Sequence, residues 1–256
     1  MSSQGRVLEL DGVRGIAILM VLFYHGFASA MLIAPYSWSG FPAFVETLAG
    51  LGWIGVDIFF VLSGYLITGI LLSSAGKPHY FRNFYARRAL RILPLYYLVL
   101  IFVAVLYRGA GDYVLLGVFY LSNFAPIFGV AALYGPLWSL SVEEHFYLMW
   151  PWLVSRLKMN GITMLAVAIC VVEPIARAVA FHRWPTPESE FSNLGLYSWF
   201  HFDGLAAGAL LACFVRSKRC TSGRLFFVGL VCAGAAMTIS AFIPLNATVF
   251  FSLKYT

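Results

Sequence analysis

Residues 51–72 read LGWIGVDIFFVLSGYLITGILL, and Asp57 is the one charged residue among them. At about 1.5 Å per residue, a helix of this length is roughly 33 Å long, enough to cross a hydrocarbon core of about 30 Å. A run so apolar on every side has no polar face to offer water, so it predicts a transmembrane helix.

The rest of the chain agrees. Of its 256 residues 61% are hydrophobic and 11% charged, and the mean hydropathy is +0.83. A soluble domain carries about 25% charged residues. Lipid is therefore the solvent of most of this surface. The net charge of +6 does not mark a nucleic-acid binder, because the basic residues stand at the ends of apolar runs, as the positive-inside rule expects. Four cysteines, Cys170, Cys213, Cys220 and Cys232, form no C-x-x-C pair, and neither a disulfide nor a metal is inferred. The N-terminus is not a signal peptide, since Arg14 interrupts it and no small-residue cleavage site follows.

Working outward from 51–72, a first span covers about Val13 to Ile33, and a Pro/Gly/Trp-rich loop runs from Pro35 to Pro42. On the other side stand Lys77, Arg82, Arg87, Arg88 and Arg91 with no acidic residue between them. This basic loop is expected to be cytoplasmic. It places the N-terminus inside, the 35–50 loop outside and a third span, about Ile92 to Tyr107, running outward. Further apolar runs cover 138–154, 162–172, 194–215 and 225–243, and the Pro-rich loop at Glu188 to Glu190 is expected outside. Orientation closes only if 112–130, which contains Asn123 and Pro126, is re-entrant or interfacial rather than a simple crossing. The expected fold is all-α: an integral membrane bundle of about seven to eight transmembrane helices with one re-entrant segment, in a single domain over 1–256.

Ionisable groups inside such spans cost on the order of 2.5–3.5 kcal/mol on insertion scales and call for a reason. His25 lies roughly 18 Å above the inner boundary of the first span, and Asp57 roughly 9 Å below the outer boundary of the second. The two depths are similar, and an Asp beside a His is a common support for a general base. A structural contact between two helices is the plain alternative. Arg14 sits at the inner boundary, where arginines snorkel and where Asp11 could pair with it. Arg88 and Arg91, three apart, share a helix face and could hold the phosphates of an anionic cofactor, or serve topology alone. Ser141 and Glu144 have capping-box spacing, which competes with a catalytic role for Glu144. Glu143 projects about 100° from Glu144, so both are not expected at one site. Gly204 and Gly208 have the G-x-x-x-G spacing of close helix packing. His79, His145 and His182 receive no role.

Five phrases in order, LDGVRGIAILMVLFYH (10–25), GWIGVDIFFVLSGYLIT (52–68), FYARRALRILPLYY (84–97), LWSLSVEEHFYLMWP (137–151) and HFDGLAAGALLA (201–212), resemble the signature segments of the membrane acyltransferase-3 family, whose members acylate surface polysaccharides and other envelope or secreted acceptors. The resemblance implies transfer of an acyl group, in particular acetyl, from cytoplasmic acyl-CoA to a hydroxyl of a carbohydrate or lipid-linked acceptor. It implies a bacterial inner-membrane protein with a cytoplasmic N-terminus. By the same likeness His25 is the catalytic group with Asp57 and Glu144 in support, and Arg14, Arg88 and Arg91 are the acyl-CoA contacts. The pattern departs at His145, where the family has Gln, and at His201, where it has Arg; the second puts a role for Asp203 in doubt. Family members have more spans than end at Thr256, so a fragment or a short member is expected, with acceptor contacts in the further part. The rival readings are a transporter or flippase with a proton relay through His25, Asp57 and Glu144, and a membrane sensor binding a ligand in the same pocket.

Overall fold

The structure, a computed structural model, describes residues 8–33, 51–183 and 196–217. The expectations for the 35–50 and 188–190 loops and for a span at 225–243 lie outside these residues. All regular structure among the described residues is helical: α1 (Leu8–Ile33), α2 (Ile54–Ser74), α3 (Tyr80–Leu106), α4 (Gly111–Val118), α5 (Leu137–Arg156), α6 (Met159–Arg183) and α7 (Phe202–Arg216). Short 3-10 turns cover Leu51–Trp53, Ser122–Phe128 and Ser198–Phe200. Among the described residues, three helices, α2, α3 and the Met159–Arg177 part of α6, are long and apolar enough to cross a membrane.

The helix α2 is central, packing on α1, α5 and most extensively on α7, which in turn packs on α6. Its crossing with α7 is made by glycines. A methyl on Gly208 would collide with the Val61 carbonyl, and one on Gly64 with the Leu205 carbonyl. Two backbones come this close only where small residues let them, so the G-x-x-x-G expectation holds. Gly52 and Gly55 do the same for α1: a Cβ on Gly52 would lie 2.6 Å from that of Tyr24, and one on Gly55 2.6 Å from the Ala17 carbonyl oxygen. These contacts run in opposite chain directions, so α1 and α2 are antiparallel.

Phe60, Phe146, Trp150 and Leu205 are the centre of the main core, and the buried Trp150 indole donates to Thr68 Oγ1 at 2.8 Å, tying α5 to α2. Outward faces are apolar instead: Leu90, Leu95, Ile101 and Val105 of α3 are exposed, which suits lipid rather than water.

Three expectations change. The basic residues from Arg82 to Arg91 are in the first turns of α3, not in a loop before it; the helix starts at Tyr80, and the Tyr80 and Tyr85 hydroxyls donate to the Pro151 and Leu148 carbonyls of α5, which anchors that end. The run at 162–172 continues through Glu173 and Arg177, because both are paired inside the bundle. Ser141 is inside α5, not at its cap: its hydroxyl donates to the Leu137 carbonyl at 3.0 Å and pairs with Ser122 Oγ at 2.8 Å. The 112–130 segment is broken into α4 and a 3-10 turn, each too short to cross a bilayer.

Candidate active site

Arg88 is half-buried where α3 meets α5. Its Nε and Nη2 both lie 3.4 Å from Glu144 Oε1, and its guanidinium carbon stands 3.2 Å over the Tyr147 ring. An arginine so placed is held by charge and by the ring's π face together. Glu143 is 4% exposed and lies within electrostatic reach of Arg88 and within reach of Ser63 and Tyr147. Glu144 is thus the ion-pair partner of Arg88, whereas Glu143 lies within its field with no ion pair to it among the described residues.

Tyr120 closes this region. It has φ of +58°, a left-handed conformation that costs a bulky residue about 1–3 kcal/mol and collects at functional sites. Its ring stacks on Tyr96 at 4.1 Å and 15°, and electrostatically it faces Glu144 and Arg88. Its buried hydroxyl, Arg88 Nε and Glu143 Oε1 have no hydrogen-bond partner among the described residues. Sequence gave no hint of Tyr120; only its backbone strain and buried hydroxyl reveal it.

The three expected cofactor arginines differ. Arg88 points inward and Arg91 is exposed, while Arg14 of α1 is half-buried with its guanidinium 5.9 Å from the Phe59 ring centroid. Arg14 lies eleven residues before His25 on α1, roughly 16 Å along the helix axis.

His25 is near the other end of α1. Its Nδ1 lies 2.9 Å from the Val21 carbonyl oxygen. A carbonyl only accepts, so Nδ1 carries a proton and donates it to Val21. Nε2 is directed at Gly135, where a Cβ would lie 3.4 Å away. The structure does not place Asp57 at this depth. Gly55 meets Ala17 and Phe59 meets Arg14, so Asp57 is level with about Ala17, roughly 12 Å down the axis from His25. The sequence estimate counted from span ends, whereas the glycine contacts set the register. Asp57 is two residues past Gly55, so it turns away from α1.

Asp57 faces a second polar cluster, within electrostatic reach of Asp203 and Arg177. Arg177 Nη2 is 2.7 Å from Asp203 Oδ2, and Glu173 Oε1 accepts the Phe202 N–H at the start of α7, 2.9 Å away. Glu173 and Arg177 escaped the sequence reading because the apolar run was closed at Val172. Their i, i+4 spacing on one helix face was the available signal. His145, given no role, lies 2.6 Å from Ser198 Oγ and stacks on Phe124. Asn123 Nδ2 donates to the same Ser198 oxygen at 2.8 Å, so this buried network pins the 3-10 turn against α5.

An apolar helical bundle with an oriented histidine, a half-buried arginine paired with a glutamate and a second ionisable cluster has the make-up of an integral membrane enzyme. A family model described as "Acyltransferase domain" matches residues 7–255, and the chain belongs to this membrane acyltransferase-3 family. Among its relatives, YrhL of Bacillus subtilis (strain 168), assigned by name to peptidoglycan O-acetylation, is 32% identical over 84% of this chain and 34% of its own length. The peptidoglycan O-acetyltransferase OatA of Listeria monocytogenes serovar 1/2a is 36% identical over 58% of this chain and 24% of its own. The O-acetyltransferase OatA of Staphylococcus aureus (strain NCTC 8325) is 33% identical over 58% and 24%. The chain thus spans about a third or less of these relatives. No solved structure matches.

Proposed function

We propose that this membrane domain moves an acetyl group from cytoplasmic acetyl-CoA to a hydroxyl of a cell-wall glycan, in the plasma membrane of a bacterium and with its N-terminus inside. The observation that carries this reading is His25: a titratable ring deep in an apolar helix, its Nδ1 fixed on the Val21 carbonyl and its Nε2 beside Gly135, where a Cβ would lie 3.4 Å away. In this arrangement the backbone carbonyl, rather than Asp57, orients the imidazole for base catalysis.

Nε2 takes the proton of the acceptor hydroxyl as its oxygen attacks the thioester carbonyl carbon. The C–S bond breaks, the ester C–O bond stays, and the departing CoA sulfur takes up a proton, which returns the imidazolium to its neutral form by way of solvent or directly. An acyl-histidine route gives the same balance in two steps. Arg14, Arg88 and Arg91 supply cations for the phosphates of CoA. Glu144 fixes the direction of Arg88.

The relatives' names, all of them O-acetyltransferases, support the acetyl group and the glycan acceptor. The test is turnover by the purified chain in lipid nanodiscs, given acetyl-CoA and a soluble peptidoglycan disaccharide. Free thiol and acetylated sugar are expected to rise together. Movement of a solute without thiol release would identify a transporter, and binding without either would identify a sensor.

A further inference from the structure

Glu173 and Arg177 form the part of the bundle that the proposed transfer leaves unused. The Glu173 carboxylate is 6% exposed. One oxygen accepts the Phe202 N–H, and the other, Oε2, has no hydrogen-bond partner among the described residues. Four residues on, Arg177 gives Nη2 to Asp203, while its buried Nε–H has no partner among them either. Residues at i and i+4 share a helix face, and both side chains reach adjacent residues of α7. One orphan accepts and the other donates.

That pair defines the chemistry of an occupant. A cation would satisfy Glu173 and repel Arg177, and an anion would do the reverse. A hydroxyl does both, donating its proton to Oε2 and accepting from Nε–H. Leaving either atom unpaired costs about 1–3 kcal/mol, and more for charged groups. Among the described residues no group of three His, Cys, Asp or Glu side chains is arranged to hold a metal.

The surroundings say which hydroxyl. The cluster is partly accessible at Arg177 and Asp203, whose side chains are 23% and 27% exposed. Next to it along α7's start are two rings, His201 and Trp138, 4.8 Å apart centroid to centroid. Amphipathic rings next to charged hydrogen-bonding groups suit a sugar, whose C–H face packs on the rings while its hydroxyls meet the charges. We propose that Glu173 and Arg177 are a binding subsite for a hydroxyl of the glycan acceptor, distinct from the hydroxyl that reacts at His25. This rests on the acyl-transfer reading for the identity of the acceptor.

The test uses Glu173→Gln, which keeps a carbonyl oxygen for Phe202 N–H but can turn a donor toward Arg177 Nε–H. The probe is the disaccharide of N-acetylglucosamine and N-acetylmuramic acid, with the whole chain in nanodiscs. Its Kd, measured by calorimetry without donor, should rise by about tenfold or more, the loss of one charge-assisted hydrogen bond. The disaccharide KM should rise in step, while the acetyl-CoA KM stays within twofold. Arg177→Lys, which keeps the charge opposite Asp203, should give the same pattern if Glu173→Gln does not insert. A disaccharide Kd within twofold of wild type in both variants would overturn the subsite and leave the cradle to a buried water. A KM change shared equally by donor and acceptor would overturn it too. Because the Kd needs no turnover, a wild type that binds the disaccharide without consuming acetyl-CoA would refute the acyl-transfer reading while still testing the subsite.

Discussion

Arg88 and Arg91 are three residues apart on one helix, yet one is folded onto Glu144 and Tyr147 and the other is exposed. Their substitutions should separate accordingly. Arg88→Ala strips the counterion from Glu144 and a nearby positive charge from the buried Glu143, and breaking an ion pair within a protein costs far more than the pair itself contributes. A fall of several degrees in melting temperature in detergent is expected, with partial recovery on adding Glu144→Gln. Arg91→Ala should move stability by no more than about 0.5 kcal/mol and raise the acetyl-CoA KM, whereas Arg88→Ala should both lower stability and raise that KM. Differential scanning fluorimetry with donor kinetics reads both. At this scale the sequence draws notice to His25 as a titratable group at odds with its apolar surroundings, to Arg88 as one of a basic pair three residues apart, and to Glu144 through its spacing from Ser141. It could not show which way Arg88 turns, since that depends on α5. It hid Tyr120 altogether: a tyrosine among fourteen draws notice only once its φ of +58° and its buried hydroxyl are seen.

Among the elements, α2 was legible from its apolar run, and its contact with α7 from the glycine spacing. The crossing makes a direct prediction. Gly208→Ala places a methyl against the Val61 carbonyl and the Tyr65 amide nitrogen, both backbone, and neither can swing aside. Overpacking of this kind costs about 1–3 kcal/mol, so the melting temperature should drop; Gly69→Ala, with nothing near its Cβ position, should leave it unchanged. Equal stability of the two variants would show that the helices are not in backbone contact. The elements read less well were those in which a charge interrupts an apolar run. α6 looked finished at Val172 because Glu173 and Arg177 are costly in lipid as isolated groups. In the bundle, the Phe202 amide and Asp203 meet them, and the helix runs on to Arg183. Likewise the basic start of α3 read as a loop because charge alone does not tell a loop from the first turns of a helix.

For the molecule as a whole, the cluster around Glu173 and Asp203 lies between α2, α6 and α7, apart from His25 on α1. In the proposed scheme the arginines hold the donor's phosphates while the acyl group meets a hydroxyl at His25. Everything in this scheme passes through one nitrogen. The decisive measurement compares wild type with His25→Ala, both purified in nanodiscs and matched for helix content by circular dichroism, following thiol release and glycan ester formation together. Wild type should form one ester per thiol released. His25→Ala should insert and fold but lose at least a hundredfold in transfer, the low end of what a general base contributes, while still binding acetyl-CoA. Transfer by His25→Ala at a rate near wild type would contradict the assignment of His25 as the group that activates the acceptor.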